Sequence, residues 1–161
     1  MYIHTFANCK MSTLEEEIQQ SVFTSHKQKA ILNIVFTANW LKASQIRLFK
    51  QFGISPEQYN VLRILRGQKG NAIGINKIQD RMLDKNSNAS RLVDKLKEKQ
   101  LVNRVGCKED RRQVEIFISN AGMELLASLD DLITIQENKL NLSNHEAETL
   151  NQLLNKLRIN N

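Results

Sequence analysis

The run NSNASRLVDKLKEK (residues 86–99), followed after one residue by LVNRVGCKEDRRQVEIFI (residues 101–118), decides the fold. In the first run, Ala89, Leu92, Val93 and Leu96 recur at helical spacing and share one face. At about 100° per residue, Arg91 points almost directly away from that face, with Ser87, Asn88, Asp94 and Lys95 close by. In the second run the period changes to two. Val114, Ile116 and Ile118 alternate with Glu115 and Phe117, so one face of a strand can pack and the other face outward. Leu101 to Val105 is a second β-prone run. Between the two lies a polar hairpin tip, residues 106–113, that carries Lys108, Asp110, Arg111 and Arg112.

Upstream, Ile75, Ile78 and Met82 mark a short helix over 75–83, and a brief turn at Asp84-Lys85 leads into a helix over about 86–99. Two short helices joined by a tight turn suggest a helix-turn-helix, and a basic hairpin placed after it completes the winged-helix order. Ser55, Pro56 and Gln58 predict a capped helix start. Tyr59, Val61, Leu62 and Leu65 form its buried face, Gly67 ends it, and Gly70 to Gly74 reads as a short extended connection.

Further out, Ser12-x-x-Glu15 reads as a capping box opening a short acidic helix. A long helix over about 26–51 carries the apolar stripe Ile31, Ile34, Val35, Ala38, Leu41, Leu48 and Phe52, with Trp40 beside it. Downstream, Leu125, Leu126, Leu129, Leu132, Ile133 and Leu140 mark a helix from about Asn120. A second box, Ser143-x-x-Glu146, opens a last helix striped with Leu150, Leu153, Leu154 and Leu157. An amphipathic helix at a chain end needs an apolar partner, either the chain's own core or another subunit. The expected fold class is mainly α with a small β-hairpin wing.

The totals fit one domain of 161 residues, 41% hydrophobic and 25% charged. No apolar run approaches the roughly 20 residues needed to span a bilayer, and residues 1–10 lack a secretory pattern, so a cytoplasmic protein with no membrane partner is expected. The net charge of +6 is unevenly spread. Residues 63–112 hold fourteen Lys/Arg against six Asp/Glu, a net +8, while residues 1–62 carry +2 and residues 113–161 carry −4. A positive excess confined to fifty residues is the footprint expected of a polyanion binder.

The chemistry of the two runs suits double-stranded DNA. Arg91 can grip guanine O6 and N7 with two donors, Asn88 can pair with adenine, and Ser87 and Ser90 are short enough to reach phosphates or bases. Arg111 and Arg112 at a hairpin tip can enter the minor groove, where negative potential is strongest, and Asp110 is suited to orienting an arginine. Lys95 and Lys108 complete the candidate DNA-binding set. Enzyme chemistry is not expected. No phosphate loop or nucleophile elbow is present, and His4, His26, His145, Cys9 and Cys107 share no metal-ligand spacing. No catalytic residue, metal or cofactor is assigned.

The stretch from Ser90 to Lys99 resembles the recognition helix of the MarR family of regulators, and Leu101-Val102-x-Arg104 resembles the family's first wing strand. Asp110-Arg111-Arg112, with Ile116-Phe117-Ile118-Ser119-x-x-Gly122, is similar to its wing signature and the start of its next helix. The detailed match covers roughly residues 55–125. The resemblance implies a homodimer that interleaves the first long helix and the last two. It also implies that Arg91 reads a major-groove base and that Arg111 and Arg112 serve the minor groove. The chain then divides into a winged-helix lobe at 54–119, dimerisation helices at 12–52 and 120–158, and a flexible extension at 1–11. Two departures stand out. Gln100 replaces the glycine common after the recognition helix, so a slightly different helix exit is expected, and Ser87-Asn88-Ala89 lacks a proline often found there.

The expected function is a sequence-specific transcriptional regulator, a repressor, on a pseudo-palindromic operator. The family resemblance also implies release by a small aromatic effector, with Phe36, Trp40, Phe49 and Tyr59 as candidate lining residues, although aromatics at helical spacing are usually core. The alternatives are a winged-helix protein-interaction module and a non-specific architectural DNA binder.

Overall fold

The computed structural model describes residues 12–106 and 114–159, and these fall into two compact units, Met1–Pro56 and Glu57–Asn161. In the first unit, α1 (Leu14–Ile18) is followed by α2 (His26–Lys50). The capping box of α1 sits one residue later than Ser12 and Glu15 suggest. Thr13 is the N-cap, its Oγ1 accepting from the N–H of Glu16 while the Glu16 carboxylate accepts from the N–H of Thr13. Glu15 is thereby free to pair with Lys29 of α2, which holds its carboxyl below the usual carboxylate range. Ser25 caps α2. Along α2, Ile31, Ile34, Val35, Trp40, Leu41 and Ile46 are exposed, and only near its end do Leu48 and Phe49 become buried.

The second unit begins with α3 (Pro56–Arg66), then β1 (Ile73–Gly74), α4 (Ile75–Arg81) and α5 (Ala89–Glu98). Strands β2 (Val102–Gly106) and β3 (Val114–Ile118) follow, then α6 (Asn120–Glu137) and α7 (Asn144–Leu157). Val61, Leu62 and Leu65 of α3, Ile78 of α4, Val93 and Leu96 of α5, Ile116 of β3 and Leu126 and Leu129 of α6 form its core. The extended connection at 70–74 contains a strand the sequence does not announce. Ile73 pairs with Ile116 and Gly74 with Glu115, so the hairpin becomes a three-stranded antiparallel sheet of order β1-β3-β2. Two residues are too few for period-two alternation to show.

Helix α3 ends at Arg66, but the left-handed residues of its exit are Lys69 and Gly70 rather than Gly67. The exit from α5 also differs from expectation. Gln100 takes φ +59°, the left-handed conformation a glycine would supply. The N–H of Gln100 bonds to Lys97 O at 2.9 Å and that of Leu101 to Leu96 O at 3.0 Å, the paired bonds of a Schellman motif. The helix therefore exits as it would with glycine, at the cost of a strained backbone at Gln100. Gly53 plays the same role after α2 with φ +69°, where Ile54 N–H reaches Phe49 O at 3.2 Å.

The start of α6 is seated on the start of β2. Ser119 caps α6, donates its hydroxyl to Gln100 O at 2.7 Å, and donates its N–H to Leu101 O at 3.1 Å. Gly122 approaches the same carbonyl so closely that an added Cβ would lie 2.3 Å from Leu101 O and 2.8 Å from Ile118 Cγ1. Helix α7 opens on a full capping box between Ser143 and Glu146 and has no buried residue. No helix among the described residues is long and apolar enough to cross a membrane, and no group of three His, Cys, Asp or Glu among them could hold a metal ion.

Candidate nucleic-acid interface

The interface is built on α5. Ala89, Val93 and Leu96 are buried and Leu92 is half-buried, which turns Arg91, Asp94 and Lys95 to the exposed side. Arg91 and Lys95 stand one turn apart and present two cations along one side of the helix. Ser90 lies beside them, half-buried in the first turn.

The other two residues assigned to this end of α5 have local partners. The turn is longer than Asp84-Lys85, because α5 begins only at Ala89. Asn88 is its N-cap, with Oδ1 accepting the N–H of Arg91 at 3.0 Å. Asp84 organises the turn. Its carboxylate accepts from Asn86 N–H at 2.9 Å and from the Ser87 hydroxyl at 3.1 Å, and its carbonyl accepts from Ser87 N–H at 3.2 Å. Ser, Asn and Asp compete for backbone groups at helix starts in this way, so the same residue types mark both a cap and a base contact.

Strand β2 lies alongside. Arg104 reaches from it to Asp94 of α5, Nη1 to Oδ1 at 2.8 Å. This pair joins the helix face that holds Arg91 to the root of the hairpin. As an exposed ion pair it contributes at most about 1 kcal/mol, so its effect is mainly to set orientation. It also neutralises one of the two acidic side chains, Asp94 and Glu98, that α5 exposes. Both residues lie in stretches the sequence singles out, yet their pairing across ten positions has no periodic signal. Lys108, Asp110, Arg111 and Arg112 lie outside the described residues; the strands on either side of them pair up to Gly106 and Val114.

Behind the interface, Arg66 of α3 forms a two-pronged bridge to Asp130 of α6, at 2.7 and 2.9 Å. The hydrogen bonds from Arg66 hold the Asp130 carboxyl below its usual range, and Asp130 in turn raises Arg66. Lys99, just past α5, donates to Oε1 of the buried Gln58 on α3 at 3.3 Å. These bonds tie α3 to α5 and to α6.

A helix-turn-helix followed by an antiparallel ribbon that bonds back to its second helix defines a winged helix. The MarR family model matches residues 54–114, the span from the start of α3 to the start of β3. In structure the chain is similar to a MarR transcription factor from Planctomyces limnophilus, with 33% identity over 84% of this chain and 97% of that one, at a TM-score of 0.65. The chain belongs to the MarR family of transcription regulators. A MarR/EmrR family transcriptional regulator from Acinetobacter sp. ADP1 shares 30% identity over 83% of this chain and 95% of that one, at a TM-score of 0.68. The S. aureus MepR–DNA complex shares the fold, at 23% identity, 77% and 91% coverage and a TM-score of 0.70. No protein of curated function matches the chain.

Proposed function

We propose that this regulator binds DNA sequence-specifically as a homodimer on a pseudo-palindromic operator and acts as a repressor. In this reading α5 lies in the major groove with Arg91 on a base edge, and the hairpin carrying Arg111 and Arg112 serves the adjacent minor groove. The observation that carries it is the exposed Arg91–Lys95 face of α5 with β2 bonded beside it through Arg104. The net +8 of residues 63–112 and the likeness in fold to a protein solved on DNA support it. Residues 54–119 form the DNA-binding lobe. The segments 12–52 and 120–158 form the dimer interface, where the exposed apolar residues of α2 and α7 find partners. Two recognition helices then meet half-sites about 10 base pairs apart. Release by a small aromatic effector belongs to the same reading and rests on the family alone.

Selection of bound duplexes from a random pool, with and without candidate aromatic acids, tests the whole reading. A palindromic motif is expected, and one compound should abolish it. Arg91→Ala should cost about 1–3 kcal/mol at one base position, and Lys108→Ala should weaken all sequences alike. Unchanged affinity of Arg91→Ala for every duplex would remove α5 from base reading. Binding without a steep salt slope would favour a protein-interaction module instead, and a steep slope without sequence preference an architectural binder.

A further inference from the structure

The turn between α4 and α5 is closed from both sides by one side chain. Gln79, half-buried on α4, donates through Nε2 to the carbonyl of Lys85 at 3.0 Å, and its Oε1 accepts the N–H of Ala89 at 3.0 Å. Ala89 is the first residue of α5, so its amide is one of the donors that a helix start leaves without an intrahelical partner. Asn60 of α3 holds the other end of the turn, accepting the N–H of Leu83 at 2.9 Å. Within the turn, the Ser87 hydroxyl is engaged by Asp84 and the Asn88 carbonyl oxygen by Arg91 N–H. These polar groups hold the backbone on which α5 begins, and they leave Ser90, Arg91 and Lys95 as the residues that face a duplex from the helix.

We propose that Gln79 is a positioning residue for base reading: by fixing the first residue of α5 to α4, it sets where Arg91 meets a base edge. The inference rests on α5 being the major-groove helix. Arg91 lies two residues beyond the amide that Gln79 holds, within the same first turn, so any slip or rotation of that turn displaces its guanidinium. A two-donor contact to guanine tolerates little displacement, whereas contact with phosphates is far less demanding of geometry. Loosening the turn should therefore reduce discrimination between sequences and leave general affinity for duplex intact.

Gln79→Met keeps the length of the side chain and removes both bonds. Gln79→Glu keeps an acceptor for Ala89 N–H and loses the donor to Lys85 O. Affinities for the selected duplex and a random duplex are measured at one salt concentration, with amide exchange at Ala89 followed in the free protein. Gln79→Met should lower the selected-to-random ratio about tenfold, leave random-duplex affinity unchanged and speed exchange at Ala89, and Gln79→Glu should recover part of the ratio. An unchanged ratio despite faster exchange would reduce Gln79 to a structural role and overturn the proposal. So would an equal loss of affinity for both duplexes. Should Gln79→Met fail to fold, Gln79→Ala, which also removes both bonds, carries the test, and an unchanged selected-to-random ratio there would equally overturn the proposal. If the unmodified protein binds no duplex, the DNA reading itself fails, and that is seen before any variant is made.

Discussion

Helices α5 and α7 both start on a polar side-chain cap and both carry leucines at helical spacing, yet α5 buries Ala89, Val93 and Leu96 within its own chain while α7 buries nothing. Leu153 and Leu157 of α7 remain 60% and 58% exposed. Amphipathicity thus shows that a helix needs a partner without saying where the partner is. For α5 the partner is the core of the winged helix, so its outward face is left for ligand. For α7 the apolar face itself is outward, as it is along much of α2, and exposed apolar area of this kind marks an interaction surface.

Breaking the comparison at α7 should give the largest effect. Leu153→Asp with Leu157→Asp should weaken the proposed homodimer roughly a thousandfold or more, because each leucine would be lost from both subunits and burial of each contributes about 1.5–3 kcal/mol. Analytical ultracentrifugation should show monomers with an unaltered far-UV circular dichroism spectrum. Dimers persisting at nanomolar concentration would place the interface elsewhere. At α5 the loss should fall on folding instead: Leu96→Ala, fully buried, should cost about 2–5 kcal/mol in denaturant unfolding.

Smaller changes sharpen the contrast around the exit of α5. Gly122→Ala should destabilise by about 1–3 kcal/mol, since the methyl group meets a backbone carbonyl that cannot swing aside. Gln100→Gly should stabilise by about 0.5–1 kcal/mol, as relief of the left-handed conformation outweighs the added freedom of the unfolded chain. A lower melting temperature for Gln100→Gly would mean that the side chain compensates for its own strain.

The winged-helix order was legible because each element carries its own period. The apolar faces of α3 and α5, the alternation of β3 and the capping box at Ser143 all depend on residues within one turn or one strand of each other. What escaped depends on residues distant in sequence or on backbone geometry. β1 is too short for a period, and Arg66 meets Asp130 across 64 positions. At α1 two overlapping boxes were available, and the Glu15–Lys29 pair is compatible with Thr13 rather than Ser12 as the cap. At the candidate interface, helical angle alone puts Arg91 and Lys95 on the exposed side. Helical angle and residue type also point to Ser87 and Asn88, but both precede the first residue of α5, where neither signal distinguishes a side chain that contacts a duplex from one that closes a turn. Gln100 shows the converse. The departure from glycine suggested a changed exit, but the Schellman bonds impose the same conformation on whatever residue stands there.

The carbonyl of Leu101 joins two elements that are separate in the chain. It receives the amide of Ser119 and is packed against Gly122, so the start of the hairpin and the first turn of α6 share a single joint. A rigid-body rotation of α6 would carry the start of the ribbon with it, as a crank arm turns with its shaft.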